Sequence, residues 1–243
     1  MNDRFKRLVR NIEVFLTPRE NIIKFYDKSI PVVKSIWWDD STQDIFDREI
    51  LIYFKYLRNK IYGTIIDAGS ANGYFSLACA ILYPSSKIYA FEPSLRYRII
   101  IRRNMHKNNT SGSIRIIPLG LWNKDTELPF RTHGAISSIK GIGSIPTEYD
   151  FKELIKVCTL DGYCERYDIM RVDLIKMDIE GSEIEALEGA KNILMNQSPE
   201  LLIQAYHLRD NLRTYEGCAS FLKAMGYTCY EADPPSGLLH AFK

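Results

Sequence analysis

No run of apolar residues in this chain approaches the ~20 that a membrane-spanning helix needs, which excludes a helical membrane protein. No sign of charge dominates. The 32 Lys and Arg stand against 30 Asp and Glu, a formal net charge of +2, too even for a general nucleic-acid binder, although a local basic patch fits such a balance. The five cysteines, Cys79, Cys158, Cys164, Cys218 and Cys229, are odd in number and never spaced C-x-x-C. That excludes a disulfide scaffold or a structural zinc site and suits buried, reduced thiols in a cytoplasmic protein. The first ten residues, MNDRFKRLVR, lack the apolar stretch of a secretory leader. Internal repeats, low-complexity tracts and the G-x-G-x-x-G of dinucleotide sites are also missing. What is there is 243 residues, 46% of them hydrophobic, enough for one large α/β domain with a short cap.

The chain divides by pattern at about residue 60. Residues 1–60 read as charged helical stretches interrupted by Trp37 and Trp38, and then as a helix from Thr42 to Asn59. In that helix Ile45, Phe46, Ile50, Tyr53, Phe54 and Leu57 recur at three- and four-residue steps. This segment is expected to be a helical cap on the substrate side, with the two indoles in its core or over the acceptor. From residue 61 to 243, short apolar runs alternate with helical ones. Strands are expected at 64–67, 87–91, 114–118, 174–178 and 201–205, with helices at 74–82, 95–106, 184–194 and 215–225. Such alternation implies βαβ crossovers and a doubly wound, mainly parallel sheet. The last two runs, 227–232 and 238–242, flank a turn-rich pentapeptide too short for a helix, so they should pair as an antiparallel hairpin.

The most informative stretch is Ile65-Ile66-Asp67-Ala68-Gly69-Ser70-Ala71-Asn72-Gly73-Tyr74. An apolar strand ends in an acid, and a loop of small residues opens a helix. Ligands of open α/β sheets bind at this end of the strands. A carboxylate there repels a pyrophosphate and suits the ammonium of a methionine moiety. Glycines at 69 and 73 let the backbone approach a ligand. A plain tight connection is the alternative. Twenty-five residues on, the second strand ends in Glu92-Pro93, and an acid in that place can accept hydrogen bonds from both hydroxyls of a ribose. Ser94 and Ser182 are candidate N-caps of the helices that follow them.

These residues resemble the FkbM-type family of S-adenosylmethionine-dependent methyltransferases. The resemblance continues through Ile116–Asn123, Cys158–Asp161 and above all Leu174-Ile-Lys-Met-Asp178-Ile-Glu180-Gly-Ser-Glu183 with Ala186–Ala190, and it covers about residues 46–243. It implies a class I methyltransferase fold with a seven-stranded sheet. It also implies S-adenosylmethionine as cofactor, bound by Asp67, Gly69, Ser70, Ala71, Asn72, Gly73, Glu92, Pro93, Leu119, Gly120 and Asp178. Two departures stand out. Gln204 occupies a place where the family commonly has Glu, and Trp122 puts an indole where a small residue is usual, beside the expected adenine edge.

Asp178, Glu180 and Glu183 can hold a divalent cation, bind the cofactor's amino group or a substrate hydroxyl, or cap the following helix. With no second acidic pair at matching spacing, no metal is assigned; Glu183 is read as a helix cap and Asp178 as an active-site residue. A hydroxyl acceptor needs its proton removed, and His207, Asp178 and Glu180 are the catalytic candidates, with His133 in the Gly- and Ser-rich stretch 132–144, a possible lid. The basic residues of the helix at 95–106 read as a solvated face. The expected activity is O-methylation of a hydroxyl on a small molecule or glycan. The alternatives are an RNA or protein methyltransferase, a nicotinamide-linked oxidoreductase, or a non-catalytic cofactor-binding module.

Overall fold

The computed structural model describes residues 20–33, 46–58, 61–132, 138–139, 151–209, 212–232, 234 and 236–243. His133, Trp37, Trp38 and most of the expected lid lie outside them. Strands β3 (Thr64–Ala68), β4 (Lys87–Phe91), β5 (Ile114–Ile117), β10 (Leu174–Met177), β11 (Glu200–Gln204), β14 (Thr228–Ala232) and β15 (Leu238–Phe242) form one seven-stranded sheet. Its spatial order is β14-β15-β11-β10-β3-β4-β5. The five strands from β11 to β5 are mutually parallel, and β15 runs antiparallel to both β11 and β14. The expected doubly wound sheet with its closing hairpin is therefore the observed one. Helices cover both faces, so its inner strands are mostly apolar and wholly buried: β10 is buried at all four positions, Lys176 included, and β11 at all five.

Helices α2 (Tyr74–Leu82), α3 (Leu95–Lys107) and α7 (Thr214–Ala224) fall within a residue of their expected positions; α4 (Leu160–Arg166) precedes β10, and β12 (Leu208–Arg209) pairs with β13 (Leu212–Arg213) before α7. The helix expected at 184–194 is instead two, α5 (Glu183–Glu188) and α6 (Lys191–Asn196). The break is at Gly189, whose backbone presses on Trp122: a Cβ there would stand 2.1 Å from the Trp122 carbonyl oxygen. The Gly189 carbonyl also leaves the helical ladder to accept the Asp161 N–H at 3.0 Å.

Two features were not expected. Residues 20–33 are not helical but form an antiparallel hairpin, β1 (Glu20–Phe25) with β2 (Lys28–Val33). Its apolar residues alternate: Ile23, Phe25, Ile30 and Val32 are buried while Ile22, Lys24 and Ser29 are exposed, the period of a strand. The hairpin is held to the end of α3, where Asn108 donates to the Pro31 carbonyl at 2.7 Å. It shares a hydrophobic core with α1 (Leu51–Tyr56), which follows one π-helical turn at Phe46–Ile50, and with α2 and β3. The second feature is a small sheet of order β6-β9-β7-β8 between β5 and β10, made of β6 (Gly120–Leu121), β7 (Thr126–Thr132), β8 (Ser138–Ile139) and β9 (Phe151–Cys158). Phe130, Ile155 and Val157 form its own core, with the half-buried Trp122 packed against them. Among the described residues no helix is long and apolar enough to cross a membrane.

Candidate active site

The order of the main sheet reverses at β3, because β4 continues the chain on one side and β10 returns on the other. A cleft opens at the carboxyl ends of these strands, where such a reversal separates the loops. It is lined by Ala68 to Asn72, Glu92, Pro93, Gly120, Lys176, Asp178, Glu180, Gln204 and Tyr206. Aromatic and aliphatic walls come from Phe91, Tyr97, Leu121, Phe130 and Ile155. Phe130 and Ile155 belong to the small sheet, so that sheet is part of the cleft, not an appendage.

The first loop is rigidly held. Gly69 and Ser70 donate their N–H groups to the Phe91 carbonyl at 3.1 and 3.2 Å, and the Asn72 carbonyl accepts from the Asn104 amide of α3 at 2.9 Å. Gly69 has φ +73°, and a Cβ would lie 1.9 Å from the Asp178 carbonyl oxygen. Glycine is needed there by the neighbouring strand end. Gly73, the residue before α2, has φ +75° and would place a Cβ 3.1 Å from Ile101. Its constraint is thus left-handed backbone and helix packing, not the approach of a ligand, and Gly73 does not line the cleft.

Glu92 lies where expected. Its carboxylate accepts the Ala71 N–H at 2.9 Å and the Ser94 N–H at 2.8 Å, so it ties the loop after β4 to the loop after β3. Burial pushes its carboxyl up to about 7, against the pull of those two N–H groups. Ser94 therefore serves through its backbone, and its hydroxyl makes no cap to α3; Ser182 likewise makes no side-chain cap to α5.

Asp67 does not line the cleft. Its fully buried carboxylate accepts from the Ser76 hydroxyl at 2.6 Å and stands 3.2 Å from the Lys176 ammonium. The register explains this, since Lys176 is the direct partner of Asp67 across β3 and β10. Lys176 also donates to the Gly69 carbonyl at 2.9 Å. An ammonium supplied by the chain itself thus occupies the place expected for a ligand's. The sequence signal for Lys176 is a charge inside the otherwise apolar run Leu174–Met177. Leu119 packs into the core beside Ile117 and also does not line the cleft. Trp122 packs against the core of the small sheet and does not line the cleft.

Asp178, Glu180 and Glu183 converge with His207 at the end of β10. The His207 Nε2 stands 3.2 Å from Glu180 and its Nδ1 3.3 Å from Glu183. Glu183, wholly buried, also accepts the Gly181 N–H at 3.0 Å, which ties it to the turn before α5; it caps no free N–H of that helix. Burial opposes a charge on His207, but the two carboxylates outweigh it and hold the ring up at about 10. A histidine already protonated at neutral pH cannot take a proton, and His207 does not line the cleft. The expected general base is therefore not His207. Asp178 and Glu180, both raised by burial with His207 and, for Asp178, Lys176 opposing, do line it.

The sequence matches the family described as the methyltransferase FkbM domain over residues 67–229. This chain belongs to the FkbM methyltransferase family. Two curated relatives of this chain are methyltransferase sdnD of Sordaria araneosa, 27% identical over 154 residues, and methyltransferase 1 of Beauveria bassiana, 29% identical over 143. The matched part is 51% of this chain in both cases, and 59% and 57% of those proteins, so the chain spans under two thirds of their length. The crystal structure of methyltransferase FkbM from Methylobacillus flagellatus superposes with a TM-score of 0.54 over 78% of this chain and 45% of that one, at 20% identity. That likeness shows the fold.

Proposed function

We propose that this FkbM protein transfers a methyl group from S-adenosylmethionine to a hydroxyl of a small molecule or glycan. The observation that carries the reading is the placement of two acids around one cleft. Glu92 follows β4 and Asp178 follows β10, on opposite sides of β3. Strands lie ~4.8 Å apart, so the two acids serve points about 10 Å apart. That span suits a cofactor ribose at one end and the methyl acceptor at the other. Buried polar atoms without hydrogen-bond partners among the described residues, Asn72 Oδ1, Asp178 Oδ1 and Gln204 Oε1, belong to cleft-lining residues and are groups a polar ligand would satisfy.

The cofactor supplies a methyl group on a sulfonium, which departs as a neutral thioether. The chain does the rest. Glu92 keeps acceptor capacity beyond its two backbone bonds and takes ribose hydroxyls. Phe91 and Leu121 offer the apolar walls an adenine needs. Asp178 and Glu180 face the acceptor end, orient its hydroxyl, and receive its proton at a carboxylate oxygen. Tyr206 and the small sheet narrow access for water.

Calorimetry with S-adenosylmethionine and its demethylated product, followed by transfer of radiolabelled methyl to a panel of sugars and hydroxylated small molecules, tests the reading. Binding of a nicotinamide dinucleotide and of neither sulfur compound would overturn it. Glu92→Ala is expected to weaken binding of the demethylated cofactor by about 1.5–3 kcal/mol. The wild-type protein should also bind it better at pH 8 than at pH 6, because the acceptor form of Glu92 is lost on acidification. Stability runs the other way. A carboxyl raised in the fold from its ordinary 4.5 to about 7 favours the folded state below pH 4.5 and loses that contribution as pH rises through 7. Thermal midpoints at pH 6 and 8 should differ less in Glu92→Ala than in wild type, and an unchanged difference would contradict the assignment.

A further inference from the structure

We infer that Asp178, Glu180 and His207 form a site for one divalent cation, of the Mn²⁺ or Mg²⁺ class, on the acceptor side of the cleft. One oxygen from each carboxylate and one ring nitrogen of His207 lie within 4.8 Å of one another. Ligands sharing an ion at ~2.1 Å stand about 3 Å apart, so side-chain adjustments on the order of an ångström close the set. The three come from different places: Asp178 from the tip of β10, Glu180 from the turn before α5, and His207 from the segment after β11.

A second observation points to a ligand. His207 is 8% exposed, and its ring nitrogens, though 3.2 and 3.3 Å from Glu180 and Glu183, make no aligned hydrogen bond to either carboxylate or to any other described residue; Asp178 Oδ1 and Glu183 Oε2 are buried without a hydrogen bond too. Three carboxylates, Asp178, Glu180 and Glu183, surround a single imidazole. Lys176, a cation two residues before Asp178, is spent on Asp67 and the Gly69 carbonyl. The cluster carries more negative charge than its own cations balance, and a divalent ion supplies what is missing.

Glu183 completes the arrangement. It lies 3.3 Å from Nδ1, and fixed by the Gly181 N–H it can hold the proton on that nitrogen while the ion displaces the proton of Nε2 to solvent. A carboxylate behind a ligating histidine is the usual support of such sites. Carboxylate ligands favour Mg²⁺ or Mn²⁺, and an imidazole in the set favours Mn²⁺ of the two. Asp178 and Glu180 both line the cleft, so three protein ligands leave coordination positions open toward it, the pattern of a catalytic rather than a structural ion. Its role, which rests on the proposed O-methylation, is to hold the acceptor oxygen and ease loss of its proton.

Mn²⁺ binding to the full chain, followed by electron paramagnetic resonance of the free ion with calorimetry alongside, tests the site without any turnover. One saturable ion per chain is expected. Asp178→Asn and His207→Ala should each weaken it at least tenfold, and Glu183→Gln by about 10–100-fold. Glu180→Gln, in a partly exposed turn, serves if a buried variant does not fold. Absence of saturable binding, or binding unchanged in these variants, overturns the site. Mn²⁺ binding in a protein that binds no sulfonium cofactor would leave the site and remove the methyl-transfer reading. Full methyl transfer after chelation, with no Mn²⁺ bound, would do the reverse.

Discussion

Gly69→Ala should sharply destabilise the fold, with a loss of about 2–5 kcal/mol from two sources that add. Left-handed backbone costs a residue with a Cβ roughly 1–2 kcal/mol, and the methyl group would then meet a wall. It would stand 1.9 Å from the Asp178 carbonyl oxygen and 2.9 Å from its carbon, both backbone atoms. Neither side can give way easily. The Asp178 N–H is bonded to the Ala68 carbonyl at 3.1 Å, and the Gly69 N–H to Phe91, so strand ends on both sides pin the contact. Overpacking of a site that cannot relax adds roughly 1–3 kcal/mol. Gly226→Ala is the control. It has φ +84° and nothing within 4 Å of an added Cβ, so only the backbone cost applies. Urea unfolding of the two variants checks the expectation; equal losses would mean that the β3–β10 contact is soft.

The second large effect is expected at Lys176. Lys176→Met leaves Asp67, fully buried, with the Ser76 hydroxyl as its remaining hydrogen-bond partner, and should cost about 3–5 kcal/mol, as removal of one member of a buried pair does. Asp67→Asn strands the ammonium instead and should cost a similar amount. The double variant, with neither charge, should recover much of the loss, because a buried pair replaced as a unit is often near neutral. Additive single losses in a double-mutant cycle would show that the two side chains do not act together. Cofactor affinity should fall in Lys176→Met as well, since Lys176 Nζ braces the Gly69 carbonyl in the first loop.

The strands and most helices of the main sheet were legible because each is a local pattern: an apolar run of four or five residues, a helical period, or a turn-rich pentapeptide before β15. The hairpin at residues 20–33 was readable in principle from its alternation, but charged neighbours on either side favoured a helical reading. The small sheet was missed for a different reason. Its strands pair over long separations, Thr126 with Val157 and Thr132 with Phe151, and the residues between carry no period that marks them as partners. The split of the helix at Gly189 depends on Trp122, nearly seventy positions earlier, which no local window includes.

By itself the sequence determined the family, the doubly wound sheet, the small-residue loop after β3 and the acid after β4, because these are written in contiguous residues whose chemistry and spacing act locally. The tertiary structure decided which of the named side chains face the cleft. Asp67 was displaced from it by a register that sets Lys176 opposite, and Gly73 by the packing of α2 on α3. His207 lost the role of base because Glu180 and Glu183, more than twenty positions earlier in the chain, are brought against both of its ring nitrogens. Whether an ionisable group is charged depends on what surrounds it within a few ångströms, and those surroundings come from strands that are neighbours in the sheet but distant along the chain.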